Sequence, residues 1–424
     1  MAETPKELLL LNCSQLVTLA GPVRPRVGGE MRELAIVADG AMLVRFEPNG
    51  GGRIAAVGRR SEIEPLASGN IEVVDAGGRV VTPGFVDAHT HLIFGGNRAN
   101  EFEMRCEGMT YQQISERGGG IRSTVRSTRA ASETELVAIG CKHAGWFLGG
   151  GTTTVEAKSG YGLTLDDELK ILRATRAVDR QTPLRCVPTF LGAHEVPDEF
   201  HGDAAAYAGV VVREMLPRVA QERLAGYCDI FCEPKVFPVA LARGILSAAK
   251  AQGLALRVHA DQFTCSGAAQ LAAELGAKTA DHLEQSDPAS IAALRGAGVQ
   301  PVLLPGSVYA IGSQKYAPAR AMIEAGLGVV IATDFNPGSS PTASMAMVMS
   351  LACTQMKMTP AEALTAATMN AACSLDLQRE VGSLEVGKVA DFVVHDVGDS
   401  REIAYWFGGQ LPAMVFMGGR RWTT

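Results

Sequence analysis

The chain changes rhythm twice. Up to about residue 78 it consists of short apolar or alternating runs separated by turn residues. Residues 8–11, 42–46, 54–57 and 71–74 read as strands, and Asn49-Gly50-Gly51-Gly52 as a hairpin-type turn between two of them. From Val81 onward, short β-like runs alternate with amphipathic helical stretches. The runs are 85–91, 152–156, 184–190, 228–232, 255–259, 278–282, 300–304 and 328–333. The helical stretches include 133–148, 167–178, 240–251, 268–274, 288–297 and 317–325, and Ser266 is placed to cap the fourth of these. Eight β-then-α units predict a (β/α)8 TIM-like barrel. From about residue 380 the pattern returns to β: the turn-rich segment 382–387, then strands at 390–395 and 414–417. The expectation is a small β-sandwich domain built from both chain termini, 1–78 and 379–424, with the barrel, 79–378, inserted between them.

Composition narrows the class without changing that picture. Over 424 residues the hydrophobic fraction is 47% and the charged fraction 20%, as in a globular protein with a large core. Net charge is -6 with no basic stripe, which argues against nucleic acid as partner. The opening residues lack the pattern of a secretory signal, and no window is apolar enough for a membrane span. Nine scattered cysteines, an odd count without framework spacing, point to reduced thiols and a cytoplasmic location. Cys228 and Cys232 bracket an apolar run and read as core residues rather than a metal pair.

The chemistry gathers at strand ends, where barrels of this kind carry their active sites. On a strand over 85–91, His89 and His91 point the same way, near enough to share one ion. Strand three runs into His194, strand five ends at His259, strand six at Asp281-His282 and strand eight at Thr333-Asp334. Five of the eight histidines thus fall at one end of the expected barrel; His143, His201 and His395 lie elsewhere. Any one of the five alone has the competing reading of a satisfied core histidine; together they suit one divalent ion. His89, His91 and His259 supply nitrogens and Asp334 an oxygen, the open arrangement of a catalytic site. Asp334 also serves to take a proton from water, and His282 to stabilise the attacked oxygen or relay a proton. The bland reading of Asp334 is a loop or capping carboxylate. Lys158, after the second strand, has no second histidine cluster beside it. We read it as a salt-bridged or site-supporting residue with a single metal, although in some related barrels a lysine bridges two metals as a carbamate.

Residues 81–91, Val-Thr-Pro-Gly-Phe-Val-Asp-Ala-His-Thr-His, with the distant Thr333-Asp334, resemble the amidohydrolase superfamily. Segments 91–98, 101–105, 158–163 (Lys-Ser-Gly-Tyr-Gly-Leu), 189–194 and 332–340 resemble, more narrowly, its imidazolonepropionase family, which acts in histidine degradation. The likeness runs from about residue 35 to 420. It implies opening of an imidazolone ring by water, with His89, His91, His259 and Asp334 as ligands to zinc or iron. It also implies Arg98, Tyr161, His194, Asn336, Gly338 and Ser339 around the substrate 4-imidazolone-5-propanoate, and a homodimer. A propanoate tail suits the Arg98 guanidinium, and backbone N–H groups at Gly338 and Ser339 are placed to approach an anion. Many family members carry glutamate where this chain has Gln262. An amide there contacts substrate but is no base, leaving proton transfer to Asp334 and His282. Two other readings compete. A ring deaminase would share the ligand set, but its free-base substrate has no anionic tail for Arg98. A scaffold that has lost its metal would have lost ligands, and all four are present.

Overall fold

The computed structural model describes residues 5–48, 51–109, 113, 118–200, 202–408 and 411–423; Asn49, Gly50 and His201 lie outside them. The chain begins with five strands: β1 (Glu7–Val17), β2 (Ile36–Phe46), β3 (Gly52–Arg59), β4 (Ile71–Asp75) and β5 (Val80–Pro83). Strand β1 organises them. It runs antiparallel to β2, while its first half pairs with β4 and its second half with β5. A register shift between Leu10 and Cys13, with Asn12 at φ 57°, breaks the period-two alternation. Leu8, Leu10 and Cys13 therefore all face one core, which strict alternation would forbid.

Eight parallel strands follow: β6 (Phe85–Thr90), β7 (Thr152–Lys158), β8 (Arg185–Ala193), β9 (Tyr227–Cys232), β10 (Ala255–Ala260), β11 (Thr279–His282), β12 (Gln300–Leu303) and β13 (Val330–Ile331). Each lies within a few residues of its expected run. Strands β6, β7 and β11 are buried at every position, as parallel strands covered on both faces are. Three last strands, β14 (Phe392–His395), β15 (Pro412–Met417) and β16 (Arg420–Trp422), return to the N-terminal sheet, where β14 runs antiparallel to β5. The small β unit is thus one mixed sheet from both chain ends, in the order β16-β15-β14-β5-β1-β2-β3 with β4 beside β1. It folds over Leu8, Leu10, Leu16, Val44, Phe392 and Phe416.

Gly84 is the pivot between the two sheets. Its N–H donates to Asp391 in the terminal unit, and the next N–H, on Phe85, donates to Gly151 ahead of the second barrel strand. A Cβ on Gly84 would stand 2.2 Å from Thr153 Oγ1, so only glycine lets the strands approach here. The barrel closes where β13 is short. The buried Asp87 carboxylate accepts from Thr333 N–H at 3.1 Å and Thr333 Oγ1 at 2.6 Å, and Thr90 bridges to Phe335. This clamp brings the residues after β13 against the end of β6, the place where His89 and Asp334 must meet.

The helices expected between strands are present, with Glu133–Gly149, Leu165–Gln181, Val239–Ala251 and Pro288–Ala297 among them. Ser266 does not cap its helix. Ala268–Leu275 starts from Gly267 at φ 86°, with no side-chain cap bond. Two helices, Ala99–Cys106 and Ile121–Ala130, stand outside the expected set; the first buries no residue and the second only Val125 and two threonines, so neither carries a plain apolar stripe.

Candidate metal centre and active site

Five histidines converge at the C-terminal mouth of the barrel. The His89 ring lies 5.7 Å from His91, 4.5 Å from His259 and 5.7 Å from His282, centroid to centroid. His194, from the end of β8, stacks on His91 at 4.9 Å with planes 16° apart. Asp334 enters from the far side of the closure. Its Oδ1 is 3.4 Å from His89 Nε2 and 3.7 Å from His91 Nε2. Potential ligand atoms of His89, His91 and His259 lie within 4.8 Å of one another, as do those of His89, His282 and Asp334.

The hydrogen bonding shows what these rings are arranged for. Nδ1 of His89 donates to Asp281 Oδ2 at 2.7 Å, which leaves its Nε2 as a lone pair. That Nε2 is buried and has no hydrogen-bond partner, and neither has Nδ1 of His91. Buried polar atoms are almost always partnered, so the unpartnered His89 Nε2, aimed at Asp334 beside His91 Nε2, requires an explanation. Burial, then Lys158 and the neighbouring rings, holds His89 well below the ordinary imidazole range; burial followed by His194 and His259 does the same to His91. Neutral imidazoles with inward lone pairs beside a carboxylate fit a divalent cation. Asp334 itself sits at φ 53°, a left-handed conformation that costs a non-glycine residue of order 1 kcal/mol and is typically held at functional sites. Burial pushes its carboxyl up, against the opposing pull of His282 and His259. A bound cation supplies the charge that burial denies it.

Behind the rings lies a set of charges of which sequence reading assigned only Lys158, as the salt-bridged residue it proves to be. Lys158, fully buried, donates to Glu156 Oε1 at 2.8 Å and Asp229 Oδ2 at 2.7 Å, and approaches Asp281 Oδ2 at 3.4 Å. Asp229 Oδ2 is 3.0 Å from His259 Nδ1. Burial opposes its charge, but His259 and Lys158 hold Asp229 well below the usual carboxylate range. Arg257 donates to the Ala88 and Ser374 carbonyls and faces Glu156 at 3.4 Å. The signal available in sequence was charge at alternate positions inside apolar strands: Glu156 and Lys158, Arg257 and His259. His282, at φ 77°, faces Glu284 at 3.4 Å; burial would lower its pKa, but Glu284, Asp334 and Asp281 outweigh it and the net shift is upward.

Tyr161 and His194 share one anchor. The buried Glu168 carboxylate accepts from the N–H groups of Gly160, Gly162 and Leu163 at 3.0, 2.8 and 2.8 Å. That fixes the loop carrying Tyr161, and the Gly160 carbonyl in turn accepts from His194 Nδ1 at 3.0 Å. Tyr161 is buried with its ring 5.4 Å from His91. Arg98 donates from Nε to Thr124 Oγ1 at 2.8 Å, and its guanidinium lies against Gly338, where a Cβ would be 2.2 Å from Nη1. Gly338 therefore serves as space for Arg98.

This corrects the expectation of free backbone donors at Gly338 and Ser339. Both N–H groups donate to Asn336 Oδ1 at 2.8 Å, and Asn336 Nδ2 donates to the Asp334 carbonyl at 2.6 Å and to Ser339 Oγ at 2.9 Å. Asn336 spends its amide on shaping the turn after Asp334, and Ser339 Oγ approaches Asp334 Oδ2 at 3.4 Å. Gln262 is half-buried on the loop after β10, its carbonyl accepting from Gln285 at 3.4 Å. That loop is held by Glu233, which accepts from Phe263 and Thr264.

Comparison with known proteins agrees in extent with the fold. The model of the amidohydrolase family matches residues 80–423. Over 411 residues, 97% of each chain, the sequence is 60% identical to a protein of Solibacter usitatus named imidazolonepropionase. It is 48% identical to one of the same name from Symbiobacterium thermophilum, across 98% of this chain and 97% of that one. Among solved structures, a zinc-bound adenosine deaminase from Xanthomonas campestris superposes with a TM-score of 0.65 at 19% identity, covering 98% of this chain and 93% of the other, a likeness of fold alone.

Proposed function

This chain belongs to the amidohydrolase family and, within it, to the imidazolonepropionases, and on that footing we propose that it opens the ring of 4-imidazolone-5-propanoate with water to give N-formimidoyl-L-glutamate, a step of histidine degradation. The observation that carries the reading is the buried, unpartnered Nε2 of His89 facing Asp334 in a cluster with His91 and His259, with the Arg98 guanidinium seated against Gly338.

His89, His91, His259 and Asp334 would hold one divalent ion, zinc or iron, since the nitrogen and oxygen donors suit both. When bound, such an ion supplies Lewis acidity, polarising the ring carbonyl and lowering the pKa of water. The remaining work falls to side chains. Arg98 binds the propanoate carboxylate by paired N–H donors. Tyr161 and His194, held by the Glu168 loop, orient the ring, with Gln262 and the Asn336–Ser339 turn completing the enclosure. Asp334 takes a proton from the attacking water as oxygen adds to the ring carbonyl carbon. His282 faces the resulting negative oxygen. The bond from that carbon to ring nitrogen then breaks, the nitrogen leaves with the proton, and the carbonyl carbon becomes the α-carboxylate of the single opened product.

No helix among the described residues is long and apolar enough to cross a membrane. We place the enzyme in the cytoplasm on its unpaired cysteines, and take it as a homodimer on the family resemblance. The test is turnover of freshly made 4-imidazolone-5-propanoate, followed by loss of imidazolone absorbance and appearance of formimidoylglutamate. Rapid turnover that a chelator abolishes and added zinc or iron restores is expected. Metal-loaded protein that leaves the substrate untouched contradicts the assignment.

A further inference from the structure

Lys158 does more than neutralise buried carboxylates. The two oxygens it approaches in the fourth and sixth barrel strands, Asp229 Oδ2 and Asp281 Oδ2, are the same two that face the histidines: Asp229 Oδ2 lies 3.0 Å from His259 Nδ1, and Asp281 Oδ2 2.7 Å from His89 Nδ1. One ammonium therefore stands behind two separate carboxylate–imidazole pairs. Each oxygen is pinned between the ammonium and a ring nitrogen. Glu156 Oε1, at 2.8 Å, holds the ammonium from its own strand, and all four of these charged groups are buried.

From this geometry we propose that Lys158 is the positioning residue for the metal centre, aiming His89 and His259 at the ion by fixing Asp281 and Asp229 together. The proposal rests on the reading of His89, His91, His259 and Asp334 as ligands. Carboxylates behind ligating histidines set ring orientation and affinity. Here both are set by a single side chain, so loss of Lys158 leaves two like charges facing each other and misaligns two ligands at once.

The experiment uses the full chain, stripped of metal and titrated with Zn2+ against a chelating indicator. Wild-type protein is expected to bind one Zn2+ per chain; no binding by wild type overturns the ligand reading and this proposal with it. Given wild-type binding, Lys158→Met is expected to lower Zn2+ affinity about tenfold to a hundredfold. The effects of Lys158→Met and Asp281→Asn are expected to be less than additive, because they act through one chain of contacts. In the apo protein, the Nδ1–H resonances of His89 and His259 are expected to shift or vanish in the variant. A merely structural lysine would lower the melting temperature and leave affinity and these resonances unmoved. Zn2+ affinity of folded Lys158→Met within threefold of wild type overturns the proposal. Should that variant not fold, Lys158→Gln is judged by the same readings.

Discussion

Two buried histidines in this molecule lie in opposite chemical situations. His395, on β14 of the terminal sheet, has its Nε2 2.9 Å from Thr82 Oγ1, whose own hydrogen is donated to the Pro83 carbonyl. The hydrogen between them therefore sits on Nε2, and the ring is satisfied inside an apolar core. His89, on β6 of the barrel, is just as buried, yet its Nε2 faces other histidines and Asp334 with no partner. Burial alone does not mark function. What separates the two is whether the protein completes the side chain's hydrogen bonding itself or leaves a lone pair aimed into a shared space. The same contrast extends to acids. Glu168 is spent on three backbone N–H groups, whereas Asp334 holds a strained backbone and meets two imidazole nitrogens.

Substitutions can break this contrast in order of severity. Asp334→Asn removes both an anionic ligand and the proton acceptor, and kcat is expected to fall about ten-thousandfold in a steady-state assay with the metal resupplied. Arg98→Met removes charged hydrogen bonds of about 2–3 kcal/mol, so KM is expected to rise roughly a hundredfold with a smaller change in kcat. A fall confined to kcat, with KM unchanged, would place Arg98 away from the substrate carboxylate. Gly338→Ala puts a methyl group where the Arg98 guanidinium lies, and kcat/KM is expected to drop roughly tenfold. Gly338 does not have a positive φ, so unchanged thermal stability should accompany that loss.

The mildest change sharpens the comparison from the terminal sheet. Burial pushes His395 down to about 3, so the folded state binds fewer protons there than the unfolded chain. The stabilisation from keeping this ring neutral is fully present above the unfolded pKa near 6.5. It is lost as pH falls from there toward 3, by up to about 1.4 kcal/mol per pH unit. His395→Gln abolishes that dependence. The stability difference between wild type and His395→Gln, measured from pH 7.5 to 5, should shrink or reverse on acidification, while kcat at pH 7.5 stays within twofold. The barrel histidines titrate in both proteins and cancel in the difference.

Sequence carried the strands and the five histidines because both follow simple periodicities: apolar runs at barrel spacing, and polar residues at strand ends. Of the second row of charges it carried Lys158 but not the acids that hold it. Asp229 sits between Cys228 and Ile230 in a run that reads as core, and nothing local tells that its carboxylate turns toward the barrel axis and reaches Lys158 and His259. That contact joins residues 71 positions apart. Asn336 was legible only as a residue around the substrate through the family resemblance; that its amide oxygen accepts from the Gly338 and Ser339 N–H groups and shapes their turn was not. The Ser266 cap failed for a related reason: Gly267 adopts a left-handed conformation that starts the helix without a side-chain cap.

The most direct test of the account is a metal count on three purified proteins: wild type, His89→Ala and His395→Ala. The account predicts close to one zinc or iron per chain in wild type, the same in His395→Ala, and a drop to near zero in His89→Ala, with all three folded. Equal metal in His89→Ala and wild type would contradict it, because the unpartnered nitrogen at the barrel mouth would then have no metal to bind.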